Sequence, residues 1–144
     1  MKKILLVALV ICSVNWVSAQ CEKKIVWTAN KAEFLDESGA VQETKDVTVV
    51  IESSGKYVKI THSDDLDDSL TGPVKKLNCG WTEPYKNGKL VYECDLSERS
   101  GDMANSTMTV EAKDSKIIIY LHVETPDGKK MNIRIPVENY KESI

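Results

Sequence analysis

Apolar and polar residues alternate with a period of two along most of the chain. Val47, Val49 and Ile51 alternate with Thr48, Val50 and Glu52, Ser54-Gly55 interrupts, and Val58 and Ile60 alternate with Lys59 and Thr61. Successive strand side chains point to opposite faces, so this pattern predicts two half-buried strands joined by a tight turn. The same reading gives strands over 77–81 and 90–96 around Tyr85-Lys86-Asn87-Gly88. It gives two more over 107–112 and 117–123 around Asp114-Ser115. Pro126-Asp127-Gly128 then turns the chain into 131–137, and an early strand carries Ile25, Trp27 and Ala29. No stretch has the 3.6-residue apolar period of an amphipathic helix.

The expected fold class is all-β, with about eight short antiparallel strands in a meander. Such a meander must bury one face, and tight hairpins favour a small β-barrel over a β-sandwich. Pro136 has no N–H to give, which predicts an edge strand or an outward position for it.

Residues 1–19 break the alternation. Lys2 and Lys3 precede the apolar run 4–13, and Val17-Ser18-Ala19 supplies small residues for cleavage. This is the layout of a bacterial signal peptide and is too short for a spanning helix of ~20 residues. The expected organisation is a signal peptide over 1–19 and a single all-β domain over 20–144, exported to the periplasm or outside the cell. Loss of Lys2 and Lys3 would take the formal charge from −3 to −5. The remaining lysines are scattered among acids, so no basic face serves a phosphate backbone and no nucleic acid is expected as partner. The mature chain has no apolar run long enough to be a transmembrane segment.

Candidate chemistry is sparse. Asp64, Asp65, Asp67 and Asp68 place four carboxylates in five residues, a weak calcium candidate, since calcium takes six to eight oxygens. Their spacing is not that of an EF-hand, and a solvated, metal-free loop is the expectation. His62 and His122 fall in or beside strands, without the spacing of a zinc site. No Gly-x-Ser-x-Gly is present, and Ser100 has no mark of activation. A pair of carboxylates could in principle cleave a glycoside. The expectation is nevertheless no enzyme, no cofactor and no metal.

Three cysteines follow the signal segment, and an oxidising compartment favours pairing two of them. A hairpin loop over 85–88 sets Cys79 opposite Cys94, so these two are the expected disulfide. A tighter Asn87-Gly88 turn, or a bridge to Cys21, is the alternative. Trp27 is expected to plug one end of a barrel or to line a cavity. A barrel of about eight strands either fills its interior or holds one small ligand, and interior positions that are mostly Ile, Val, Leu and Met with few small residues favour the filled one.

The hairpin layout resembles lipocalin-like and other small secreted barrels in architecture. The lipocalin Gly-x-Trp is replaced by Ile25-Val26-Trp27. Tyr92-Glu93-Cys94 is similar to the Tyr-x-Cys start of periplasmic lysozyme-inhibitor barrels, but Ser100-Gly101 is followed by Asp102-Met103 where they carry a Tyr. No family follows from these matches. The expected function is a non-catalytic binding or interaction module for an unknown protein or glycan partner. The alternatives are a small barrel carrying an apolar ligand and an enzyme using loop carboxylates.

Overall fold

A computed structural model of the protein describes residues 21–98 and 101–143, apart from the side chains of 65–67. The expected signal segment lies outside the described residues. The strands are β1 (Lys24–Ala29), β2 (Ala32–Leu35), β3 (Val41–Lys45), β4 (Val49–Ser53), β5 (Tyr57–His62) and β6 (Asp65–Glu83). They continue as β7 (Asn87–Ser97), β8 (Met103–Lys113), β9 (Lys116–Glu124), β10 (Lys130–Pro136) and β11 (Asn139–Ser143). Every pairing is antiparallel, and all strands belong to one sheet in the order β11-β1-β4-β5-β6-β7-β8-β9-β10-β2-β3.

The all-β class stands. The small barrel of about eight strands is corrected on both counts, because the described residues form eleven strands and the ladder among them does not close. The reason lies in three interruptions. Thr28 faces Asn139 and Glu33 faces Arg134, so five residues forward on one strand match five backward on the other. β1 and β2 therefore share one register against β11 and β10, broken at Asn30-Lys31 and at Val137-Glu138. Pro136 ends β10 and cannot donate to a ladder, so the break falls at its C-terminal side. A third break separates β3 from β4. Ala29 pairs with Val49 while Ala32 pairs with Lys45, and the extra residue on the second strand is a bulge-like irregularity over 46–48. Two-residue links join β1 to β2 and β10 to β11, although these pairs stand far apart in the strand order. The sheet is therefore strongly curled, with its two ends brought together by the chain itself.

The inner face carries the alternating apolar set. Ile25, Trp27, Ile51, Val58, Leu90, Tyr92, Leu96, Met108, Val110 and Ile119 are buried there. At ~1.5–3 kcal/mol for each large side chain, this burial is the main favourable term in folding. The hairpin signals are realised where the turn residues are unambiguous. Asp114 and Ser115 both take positive φ, 50° and 67°, between the paired Lys113 and Lys116. That is the conformation of a two-residue hairpin turn matched to strand twist.

The β6–β7 hairpin differs from expectation, and the disulfide differs with it. Glu83 pairs with Asn87, leaving a three-residue loop, Pro84 to Lys86, with Tyr85 at φ 62°. Asn87-Gly88 is not the turn. The Asn87 side chain accepts the Asp114 N–H at 3.2 Å. Gly88, at φ 114°, lies where a Cβ would meet the Gly80 carbonyl oxygen at 2.3 Å. A bulge between Trp81 and Glu83 completes the shift, so Cys79 faces Leu90 and Cys94 faces Val74. The expected Cys79–Cys94 bridge is thus corrected. Cys21 bonds Cys79, with 6.0 Å between their Cα atoms, and Cys94 keeps a free, buried thiol. Burial, reinforced by Asp95, pushes that thiol up to about 11.

Candidate functional site

The two ends of the curled interior differ in how they are filled. One end is closed by aromatic rings. Trp27 is buried, and its Nε1–H donates to Ser53 Oγ at 2.8 Å. Ser53, also buried, lies 3.5 Å from the Tyr92 hydroxyl. Tyr85 reaches from the β6–β7 loop to stack on Tyr140, with centroids 4.6 Å apart, and packs near Trp27 and Trp81. Its hydroxyl donates to Glu142 at 2.6 Å. The strained φ of Tyr85 has its reason here, since it turns the ring inward over the end of the sheet.

That contact titrates. The Tyr85 hydroxyl, with help from Lys23, holds Glu142 below the usual carboxylate range despite partial desolvation. Burial, then the bond to Glu142, raises the Tyr85 phenol. Glu142 therefore stabilises the fold above about pH 4.5, and that contribution disappears as pH falls through its lower folded value. For Tyr85 the sign reverses, with stabilisation present below pH 10 and lost as pH rises above it. Tyr85→Phe is expected to cost about 1 kcal/mol at neutral pH, discounted for the exposure of Glu142. It should also reduce the loss of stability on acidification. Urea midpoints at pH 3.5, 5 and 7 check this, and an unchanged acid slope would contradict it.

The other end is open. A cavity of about 240 Å³ is lined by Ala32, Phe34, Val47, Val49, Ile60, Leu70, Leu121, Met131, Ile133 and Ile135, with His62, Lys45, Asp64, Asp68 and Glu98 also in its wall. A second lobe of about 400 Å³ shares Leu70, Glu98 and Met131 with the first and adds Leu96, Ala104, Val123, Asp102 and Asp127 among others. The lobes arise where short side chains face inward. Ala32, Val47, Val49 and Ala104 leave space that Trp27 and Tyr92 occupy at the far end. Both volumes exceed the ~150 Å³ apolar cavity that accepts benzene in an engineered protein.

The acidic segment is less of a loop than expected. Only Ser63 and Asp64 form the turn, and β6 begins at Asp65, which pairs with His62. Asp64 and Asp68 lie in the cavity wall, whereas the side chains of Asp65 and Asp67 are outside the described residues. Among the described residues no group of three or more His, Cys, Asp or Glu is arranged to hold a metal ion. His122 sits on the outer face, its Nδ1 2.6 Å from Asn132 Oδ1 across the β9–β10 pair. His62 and His122 are thus on separate features. Sequence reasoning missed Phe34, Leu70 and Ile133 as cavity residues, and it held the bridge to Cys21 only as the alternative to Cys79–Cys94.

No family model matches the chain, and no curated protein or solved structure is significantly similar to it. No described helix is long and apolar enough to cross a membrane. The disulfide is compatible with an exported protein.

Proposed function

We propose that the protein is an exported, non-catalytic binding domain whose curled, unclosed sheet wraps around a cavity for a small apolar ligand. The observation that carries this reading is the asymmetry of the interior. One end is packed with Trp27, Tyr92 and Tyr85, while the other keeps an apolar-walled space open to solvent. An interior that served only to stabilise the fold would be filled throughout, since native cores pack like organic crystals with few voids larger than water. The shared register of β1–β2 against β10–β11 supports the wrapping, because it aligns the two ends of the sheet along one seam.

Titration of the mature protein with uncharged 1-octanol tests the reading by calorimetry and by the methyl NMR signal of Met131, which lines both lobes. The expected result is saturable binding with a negative heat-capacity change and a shifted Met131 signal. Ile133→Trp, which fills the first lobe, should weaken it at least tenfold, and Leu70→Trp serves if that variant melts early. Absence of saturable binding, or binding indifferent to a folded filling variant, would overturn the proposal.

A further inference from the structure

We infer that two copies of this chain associate through β3, each pairing its strand antiparallel with the other's across a two-fold axis centred on Thr44. This contact goes beyond the ligand reading above and stands or falls separately from it.

β3 is the last strand in the ladder. Among the described residues it pairs only with β2, and all five of its residues are exposed. The N–H and C=O groups on its outer edge are a template for one more strand. Proteins commonly guard such an edge with charged side chains, and β3 carries two, Glu43 and Lys45. No described residue forms an ion pair with either. Lys45 Nζ instead lies over the Phe34 ring, 5.3 Å from its centroid.

Symmetry decides whether these charges repel a second copy or hold it. Alternate residues of a strand direct their backbone groups to opposite edges, so both members of a hydrogen-bonded antiparallel pair have the same parity. Under a two-fold axis each pair occurs twice, with i facing j and j facing i. The numbers of facing residues therefore have an even sum, and one residue faces its own copy. Centring on Glu43 or Lys45 sets a charge against itself, which is destabilising. Centring on Val41 or Gln42 sends Lys45 opposite Glu37 or Gly39, which lie in the turn closed by the Gly39 N–H on the Asp36 carbonyl and not in a strand. Centring on Thr44 sets Glu43 opposite Lys45 of the second copy, and does so twice. The two side chains share one face of β3, because Glu43 pairs with Phe34 and Lys45 with Ala32, both in the cavity wall. The axis keeps that face common to both copies, so the facing Cβ atoms stand ~4.5–5.5 Å apart, within reach of an ion pair.

β11, at the other end of the strand order, offers no such register. Lys141 and Glu142 have opposite parity and cannot face each other under the same symmetry, and Glu142 is already held by Tyr85 and Lys23. A strand of five residues is small beside the ~20–30 residues a side of a standard interface, so the dimer is weak and reversible.

Sedimentation velocity of the mature protein from about 10 µM to about 1 mM, the range of a weak contact, is expected to show a reversible monomer–dimer equilibrium. Glu43→Lys and Lys45→Glu, each checked for folding by circular dichroism, put like charges in both pairs. Either should weaken the dimer at least about tenfold. An equimolar mixture of these two variants again places opposite charges in both pairs and should dimerise about as well as the native chain. The double variant Glu43→Lys/Lys45→Glu should do the same on its own. Salt should weaken the native dimer and strengthen that of either single variant. A protein still monomeric at about 1 mM would overturn the inference, as would a dimer indifferent to the single variants. A mixture that stays monomeric, or assemblies that grow beyond the dimer, would overturn it equally. None of these outcomes bears on 1-octanol binding, which tests the cavity.

Discussion

Trp27→Ala is expected to remove about 3–5 kcal/mol of stability, the range for truncating a buried tryptophan. The side chain is 1% exposed and fills the closed end of the interior. Its removal leaves a cavity bordered by Tyr85 and Tyr140, whose rings stack on each other and touch the indole edge. It also removes the donor that Ser53 accepts, in a place where Ser53 is fully buried. Ser53 keeps its longer contact with the Tyr92 hydroxyl, so losing this one donor adds about 1 kcal/mol to the cost. Against a total stability of about 5–15 kcal/mol for an ordinary domain, the variant would stand near the edge of folding. Trp27→Phe separates the two effects, since it keeps most of the apolar volume and loses only the N–H. Urea denaturation followed by circular dichroism reads both. A loss below about 1 kcal/mol for Trp27→Ala would show that the closed end is not packed as described.

Loss of the Cys21–Cys79 bridge is the second large effect. The bonded residues are 58 apart, and the chain-entropy model gives about 4 kcal/mol for closing a loop of that length. Cys21 is buried at 1% exposure immediately before β1, so the bridge also anchors the start of that strand beside Glu22, whose carbonyl accepts the Gly55 N–H. The paired variant Cys21→Ser/Cys79→Ser should lower the urea midpoint in proportion, and treatment of the native protein with a reductant should match it. Cys94→Ala should leave the bridge intact. If the paired variant were as stable as the native protein, the anchoring role would be refuted.

Much of the fold is legible in the sequence where one local rule acts alone. The alternation of Val47, Val49 and Ile51 reports a strand with one buried side, and all three are buried. Asp114-Ser115 offers a two-residue turn with no competitor nearby. Legibility fails where two signals compete. Asn87-Gly88 is a strong turn signal, yet the chain turns earlier, at Tyr85, because that places an aromatic ring over Trp27 and Trp81. The gain is tertiary and leaves no trace in the local sequence. The expected loop over 85–88 becomes Pro84 to Lys86 with a bulge beside it, so Cys79 faces Leu90 rather than Cys94 and the cysteine pairing changes with it. The count of strands was missed for a similar reason. Interruptions at Asn30-Lys31 and Val137-Glu138 depend on how the curled ends meet, which no short window records. The cavity is the least legible feature, because empty volume is a property of side chains from at least five strands and of none alone.

The position of the free cysteine bears on how the native bridge is reached. In the unfolded, reduced chain Cys79 and Cys94 are separated by 15 residues, against 58 for Cys79 and Cys21. Loop-closure entropy favours the nearer encounter by about 1 kcal/mol, or several-fold in frequency. The first bridge to form on oxidation would thus more often be the non-native one. Conversion requires the Cys21 thiolate to attack that bridge at Cys79 and release Cys94. Folding then buries the released thiol between β6 and β8, where its raised pKa and lack of access prevent the reverse attack. The apolar environment of Cys94 acts as a one-way valve on disulfide exchange. The protein would therefore mature faster in the presence of a disulfide isomerase than with an oxidant alone.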